Sequence, residues 1–245
     1  MNSTVKNYSE SLLKDIVALN YKAASVFEKY GIDFCCRGNR PLKEACEKKN
    51  VNLDYVLADL ENMDQTVVNG DNNRYNLWEL DYLIQYIVNN HHRYVLSQVP
   101  VVSAHLSKIA SVHGNNHPYL AEVASLFTEL SNELLSHMYK EEKMLFPMIT
   151  KMVEIKNSNG CLNGTNVSVT MPIAVMESEH TSAGSILEKI REITDNLTLP
   201  ADACNTFALT YTEIDEFEKD LHRHIFLENS ILFPKAIEME ASLKK

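Results

Sequence analysis

The chain has no long uninterrupted apolar run, no surplus of positive charge, little cysteine and no extended stretch of alternating polar and apolar residues. Each scarcity excludes something. Charges break every long apolar region, so no segment qualifies as a membrane-spanning helix, and MNSTVKNYSESLLKD lacks the basic start and apolar stretch of a signal peptide. A cytoplasmic protein with no membrane partner is expected. Lys and Arg number 23 against 33 Asp and Glu, a formal charge of −10. That balance argues against nucleic acid, whose binders carry a basic field or stripe. The five cysteines, at 35, 36, 46, 161 and 204, include one close pair and no CxxC. Neither a disulfide framework nor a thiolate zinc site is indicated, and reduced thiols are expected.

What is present is helical periodicity. Apolar residues recur three and four apart almost throughout, and 45% apolar composition is enough for a proper core, so the fold class expected is all-α. A first helix is expected over Leu12–Tyr30, closed by Gly31. A second is expected to begin near Pro41 with Asn39 as a cap candidate, and a third after Asn52. These form a small helical domain over residues 1–65. A polar, Gly-Asp-Asn-Asn-containing linker follows at 66–74. Residues 75–245 carry four long helical patterns, near 75–98, 119–153, 172–195 and 202–241, with a surface loop at NSNGCLNGTNV.

The second region repeats itself. HMYKEEKMLFP from His137 and HIFLENSILFP from His224 share His at position 1, Glu at position 5 and Leu-Phe-Pro at positions 9 to 11. Each is preceded by another helical histidine, in IVNNHH and in MESEH. Two duplicated helix pairs of this length pack naturally as an up-down four-helix bundle, whose interior is a common place for metals. His-x-x-x-Glu sets an imidazole and a carboxylate one turn apart on one helix face. Those faces are apolar: Leu126, Leu130, Leu134, Leu145 and Met148 surround His137 and Glu141, and Ile214, Phe217, Leu221 and Ile231 surround His224 and Glu228. His180 aligns with Ile173, Met176 and Leu187. His91 continues the series Leu77, Leu80, Ile84, Ile87, although its neighbour His92 also has apolar partners three and four residues away.

A single histidine on such a face is ordinarily a hydrogen-bonded core residue. Four imidazoles and two carboxylates in one core are different, because each unpaired buried ion costs several kcal/mol against a whole-domain stability of about 5–15 kcal/mol. A metal centre removes that cost. The lack of thiolate disfavours structural zinc, and the imidazoles disfavour an all-oxygen Mg or Ca cage. Two carboxylates shared between two ions suit iron or manganese, with coordination positions left open. Glu133, one turn before His137, and Glu179, directly before His180, are candidates to orient a ligand histidine or carry protons.

These residues resemble the iron-sulfur cluster repair di-iron proteins, the RIC or ScdA family, over nearly the whole length. VFEKYGIDFCCRGNRPLKEAC is similar to the family's small helical domain with its vicinal pair, here Cys35 and Cys36. SHMYKEEKMLFP, VMESEH and HIFLENSILFP resemble the metal-binding segments of its haemerythrin-like bundle. The resemblance implies the ligands His91, His137, Glu141, His180, His224 and Glu228, VNNHHRY aligning so as to select His91. It implies two irons per chain in an oxo- or hydroxo- and carboxylate-bridged centre, flanked by Glu133 and Glu179. It further implies a cytoplasmic homodimer that repairs iron-sulfur clusters of proteins damaged by nitric oxide or peroxide, with Cys35 and Cys36 passing iron or a nitrosyl group. Four histidines rather than five separate the chain from oxygen-carrying haemerythrins. The alternatives left are nitric oxide reduction at the two irons, which would make the protein an enzyme, and sensing or storage of O2, NO or iron.

Overall fold

The computed structural model describes residues 8–35, 37–65, 75–162 and 168–244, which form two compact units. One comprises the described residues up to Glu79 together with Ile225–Pro234, and the other Leu80–His224 with the residues from Lys235 onward. The linker expected at 66–74, residues 163–167 of the expected surface loop and Cys36 lie outside the described residues.

In the first unit a 3-10 turn, Tyr8–Glu10, precedes α1 (Leu13–Leu19), α2 (Ala23–Lys29), α3 (Leu42–Lys49) and α4 (Leu53–Gln65). The single helix expected over Leu12–Tyr30 is two. Asn20 leaves the helical region at φ −152°, ψ 104°, and its side-chain oxygen accepts the Lys22 N–H at 3.1 Å. That local bond competes with the helical one and turns the chain. Gly31 takes φ +64°, as expected after a helix, and Ile32 N–H bonds back to Phe27 C=O at 2.9 Å. At α3 the cap is Pro41 in extended conformation rather than Asn39, while Asn52 accepts the Asp54 N–H at 2.8 Å at the start of α4. Phe27, Phe34 and Phe226 form a ring series, with Tyr21 on Phe226 at 5.6 Å. Burial of Phe226 explains why Ile225–Pro234 groups with these helices although it lies far along the chain.

The helical runs from Leu80 onward share a distinctive feature. α5 (Leu80–Tyr86) passes through a π-helical segment, Ile87–His92, into α6 (Arg93–His113). α7 (Tyr119–Lys140) passes through Glu141–Leu145 into α8 (Phe146–Asn157). α9 (Thr170–Ile193) is uninterrupted, and α10 (Asn205–Leu227) continues through Glu228–Leu232 into α11 (Phe233–Leu243). α6 packs on α7, α7 on α9 and α5 on α8. α10 closes the bundle through Phe217 against Tyr94 and Phe127, and through Asp215 and Glu218 against Arg191.

The first long helix was expected to end near residue 98, before Pro100, yet α6 runs on to His113 with Pro100 inside it. An interior proline costs about 3 kcal/mol. Val95, Val102, Leu106 and Ile109 are each at most 1% exposed. Burying them contributes about 1.5–3 kcal/mol apiece, which outweighs the proline. No helix among the described residues is long and apolar enough to cross a membrane.

Candidate metal centre

Three π-helical segments mark the interior of the bundle, and each begins or ends at a candidate ligand. His92 closes the first, Glu141 opens the second and Glu228 opens the third. A π turn carries one residue more than an α turn and is found mostly at functional sites. The extra residue here re-aims side chains that an unbroken 3.6-residue period would place elsewhere.

The side chains so aimed form two overlapping groups, His92, Glu141, His224 and Glu228, and His137, Glu141, His180 and Glu228, with ligand atoms within 4.8 Å of one another in each group. All six residues are at most 2% exposed. Glu141 faces both groups, Oε2 lying 3.3 Å from His92 Nε2 and Oε1 lying 3.3 Å from His137 Nε2. His137 Nε2 and His180 Nε2 are 3.0 Å apart. Two nitrogens each about 2.1 Å from one ion in adjacent coordination positions stand about 3 Å apart. The donor set therefore suits metal cations, offering imidazole and carboxylate ligands in two groups that have Glu141 and Glu228 in common. Glu228 comes from the helical run that carries His224, one turn further on.

Carboxylates fix the ring orientations. His137 Nδ1–H donates to Glu179 Oε2 at 2.8 Å, and His92 Nδ1–H donates to Glu142 Oε1 at 2.8 Å. Donation from Nδ1 leaves Nε2 as a lone-pair donor, the tautomer a ligand needs. Lys140 pairs with the second oxygen of Glu179. Partial burial pushes the Glu179 carboxyl up, but the hydrogen bonds from Lys140 and His137 outweigh it and hold it below the usual 4.5.

The structure brings together five of the six ligand candidates, and replaces the sixth. His92 stands where His91 was expected. Counting in 3.6-residue steps from Leu80, Ile84 and Ile87 leads to His91, but that count fails in a π-helical segment, where the added residue carries the facing position on by one. Leu77, the first residue of that series, is 66% exposed, which breaks it at the other end. His91 is buried beside the centre, its Nδ1 3.0 Å from Asp220 Oδ1 and its ring parallel to that of His224 at 5.8 Å. Glu179 stands within hydrogen-bond distance of His137 Nδ1. Glu133 is exposed and accepts a bond from Ser182 Oγ at 3.1 Å. Cys35 is buried in the first unit, its thiol 3.3 Å from Asp33 Oδ1. Arg40, near the pair in sequence, forms an ion pair with Glu44 at 3.3 Å. Glu142, Lys140 and Asp220 were not anticipated. Glu142 directly follows Glu141, and Asp220 precedes His224 by one turn, which are the signals that could have drawn attention to them.

Comparison with known proteins agrees with this architecture. Residues 83–236 match the family described as the hemerythrin HHE cation binding domain. Residues 9–64 match ScdA_N, described as a domain of unknown function. The chain belongs to the haemerythrin-like iron-sulfur cluster repair family. It is 35% identical over 233 residues to a protein of Enterobacter sp. (strain 638) named iron-sulfur cluster repair protein YtfE, covering 95% of this chain and 99% of that one. It is 32% identical over 232 residues to the iron-sulfur cluster repair protein ScdA of Staphylococcus haemolyticus (strain JCSC1435), covering 93% and 98%. Residues 83–236 thus form a haemerythrin-like domain with a buried His/Glu cluster, preceded by a small helical N-terminal region.

Proposed function

We propose that this protein repairs iron-sulfur clusters damaged by nitrosative or oxidative stress, delivering iron from a carboxylate-bridged di-iron centre. The observation that carries the reading is the sharing of Glu141 and Glu228 between two four-residue ligand groups. It is supported by relatives of nearly equal length that are named for cluster repair. When bound, the two irons supply Lewis acidity, one-electron chemistry and open positions for a small gas such as NO or O2.

The chain's own residues do the rest. Glu141 presents one oxygen to each histidine pair. His92 and His224 would hold one cation, and His137 and His180 the other, with Glu142 and Glu179 keeping His92 and His137 in the ligating tautomer. Each cation would be held by four protein donors, which would leave it exchangeable with an acceptor's ligands more readily than from a closed cage. The site is built from side chains at most 2% exposed, which limits the access of bulk water to it.

The test is rescue of a [4Fe-4S] hydratase inactivated by nitric oxide, by the iron-loaded protein with a reductant. Wild-type protein is expected to restore activity with loss of its own iron to the hydratase, and a His137→Ala, His224→Ala variant is expected to be inert. Equal rescue by the variant, or by free ferrous iron at the same concentration, contradicts iron delivery. Multiple-turnover N2O formation without rescue would assign the site to nitric oxide reduction instead.

A further inference from the structure

His91 and His92 are adjacent, both at most 2% exposed, and both lie in the π-helical segment Ile87–His92. Each has a carboxylate of its own. His92 Nδ1 bonds Glu142 at 2.8 Å, and His91 Nδ1 bonds Asp220 at 3.0 Å. His91 is therefore prepared as the ligand histidines are, with Nδ1–H committed to a carboxylate and Nε2 left as a lone-pair donor. That Nε2 is buried and has no hydrogen-bond partner among the described residues, and the second oxygen of Asp220 is in the same condition. A buried imidazole nitrogen with nothing bound to it is costly to maintain, and packing alone does not call for it.

The π-helical segment supplies a use. It holds one residue more than an α turn, and that surplus can travel along the helix. Every residue it passes takes the place its successor held, with the flanking helices undisturbed. Moving it from before His91 to after His92 carries His91 into the place of His92, beside Glu142 and the Glu141 carboxylate. We propose that His91 is a reserve ligand to the centre, exchanged for His92 by a one-residue shift of the π-helical segment. Asp220 holds the spare histidine in one arrangement and loses it in the other, so the segment has two discrete states whose populations a change at the metal can shift. Exchange of one imidazole for another at the cation held with His224 gives that position a route to loosen its grip without unfolding the bundle. The inference rests on the reading of the centre as a metal site.

The experiment measures iron per chain after anaerobic reconstitution and desalting, in the full-length protein, for His92→Ala, His91→Ala, the double variant and His180→Ala, with helicity followed in parallel. His92→Gln stands in should His92→Ala not fold. The expected result is wild-type iron content in His91→Ala, near-wild-type content in His92→Ala, and at least halved content in the double variant and in His180→Ala. Iron lost from folded His92→Ala as completely as from His180→Ala overturns the proposal. Iron retained by the double variant also overturns it, since three ligands would then suffice without His91. Wild-type protein without iron, or His180→Ala unaffected, would instead remove the centre itself, and the reserve ligand with it.

Discussion

Glu179 accepts a hydrogen bond from His137 Nδ1 and pairs with Lys140, contacts through which, on the proposed reading, it would act on the metal. Loss of such a carboxylate typically weakens metal binding about 10–100-fold. Glu179→Ala should therefore release iron to a chelator at correspondingly lower chelator concentration, whereas Glu133→Ala, which removes only an exposed bond to Ser182, should not. A different residue-scale expectation concerns Cys204. The His113 Nε2 at 3.2 Å, helped by backbone N–H groups of Phe207 and Thr206, brings this exposed thiol down to about 7. Its alkylation rate should rise with an apparent midpoint near that value, and His113→Ala should move the midpoint toward 9.0, the value of an ordinary thiol. An unchanged midpoint in the variant would show that the pair does not persist in solution. At this scale His-x-x-x-Glu repeats and apolar helix faces, visible in one dimension, pointed to Glu141, Glu228, His137, His180 and His224, which the structure gathers into two overlapping groups. Between His91 and His92 periodicity decided little and leaned to His91, because it assumes an unbroken α-helix and the π-helical segment has no sequence signature of comparable strength.

Burial along the helices sets which residues face the interior of the bundle. Leu106 is 1% exposed in the part of α6 beyond Pro100. Leu106→Ala should cost about 2–5 kcal/mol, read as a lower urea midpoint at unchanged slope. A loss well under 1 kcal/mol would mean that burial there does not hold the helix through its proline. At the start of α9, the buried Glu240 carboxylate accepts the Val169 N–H at 2.8 Å and a bond from Ser168 Oγ at 2.8 Å. Burial pushes this carboxyl up, but Lys244, Val169 and Ser168 outweigh it, so it ionises below the usual 4.5. A depressed value means the stabilisation is complete above about 4.5 and is lost as the pH falls through the lower folded value. Protection of the Val169 amide against exchange should drop in that acid range in wild-type protein, and should be low at every pH in Glu240→Ala. The helix positions in the bundle were legible from periodicity. The break at Asn20 and the passage through Pro100 were not, since a side-chain bond decides one and tertiary burial the other.

For the molecule as a whole, two fully buried carboxylates make metal occupancy a stability term. A ligand present at about a thousand times its Kd adds about 4 kcal/mol, so chelation of iron should lower the thermal midpoint markedly. Glu141→Gln should reverse the order. It relieves the buried charge and leaves the metal-free protein at least as stable as wild type, while abolishing the gain on adding iron. Composition and the internal repeat led to the expectation of an N-terminal helical part and a bundle, whereas the grouping of Ile225–Pro234 with the N-terminal helices depends on where Phe226 is buried, which no local pattern announces. The most direct test of the account is iron content with Mössbauer spectra of the anaerobically isolated protein, beside the His137→Ala, His224→Ala variant. The account predicts two coupled irons per chain in the wild type and their loss in the variant. Zinc in their place, or iron indifferent to those two histidines, would contradict it.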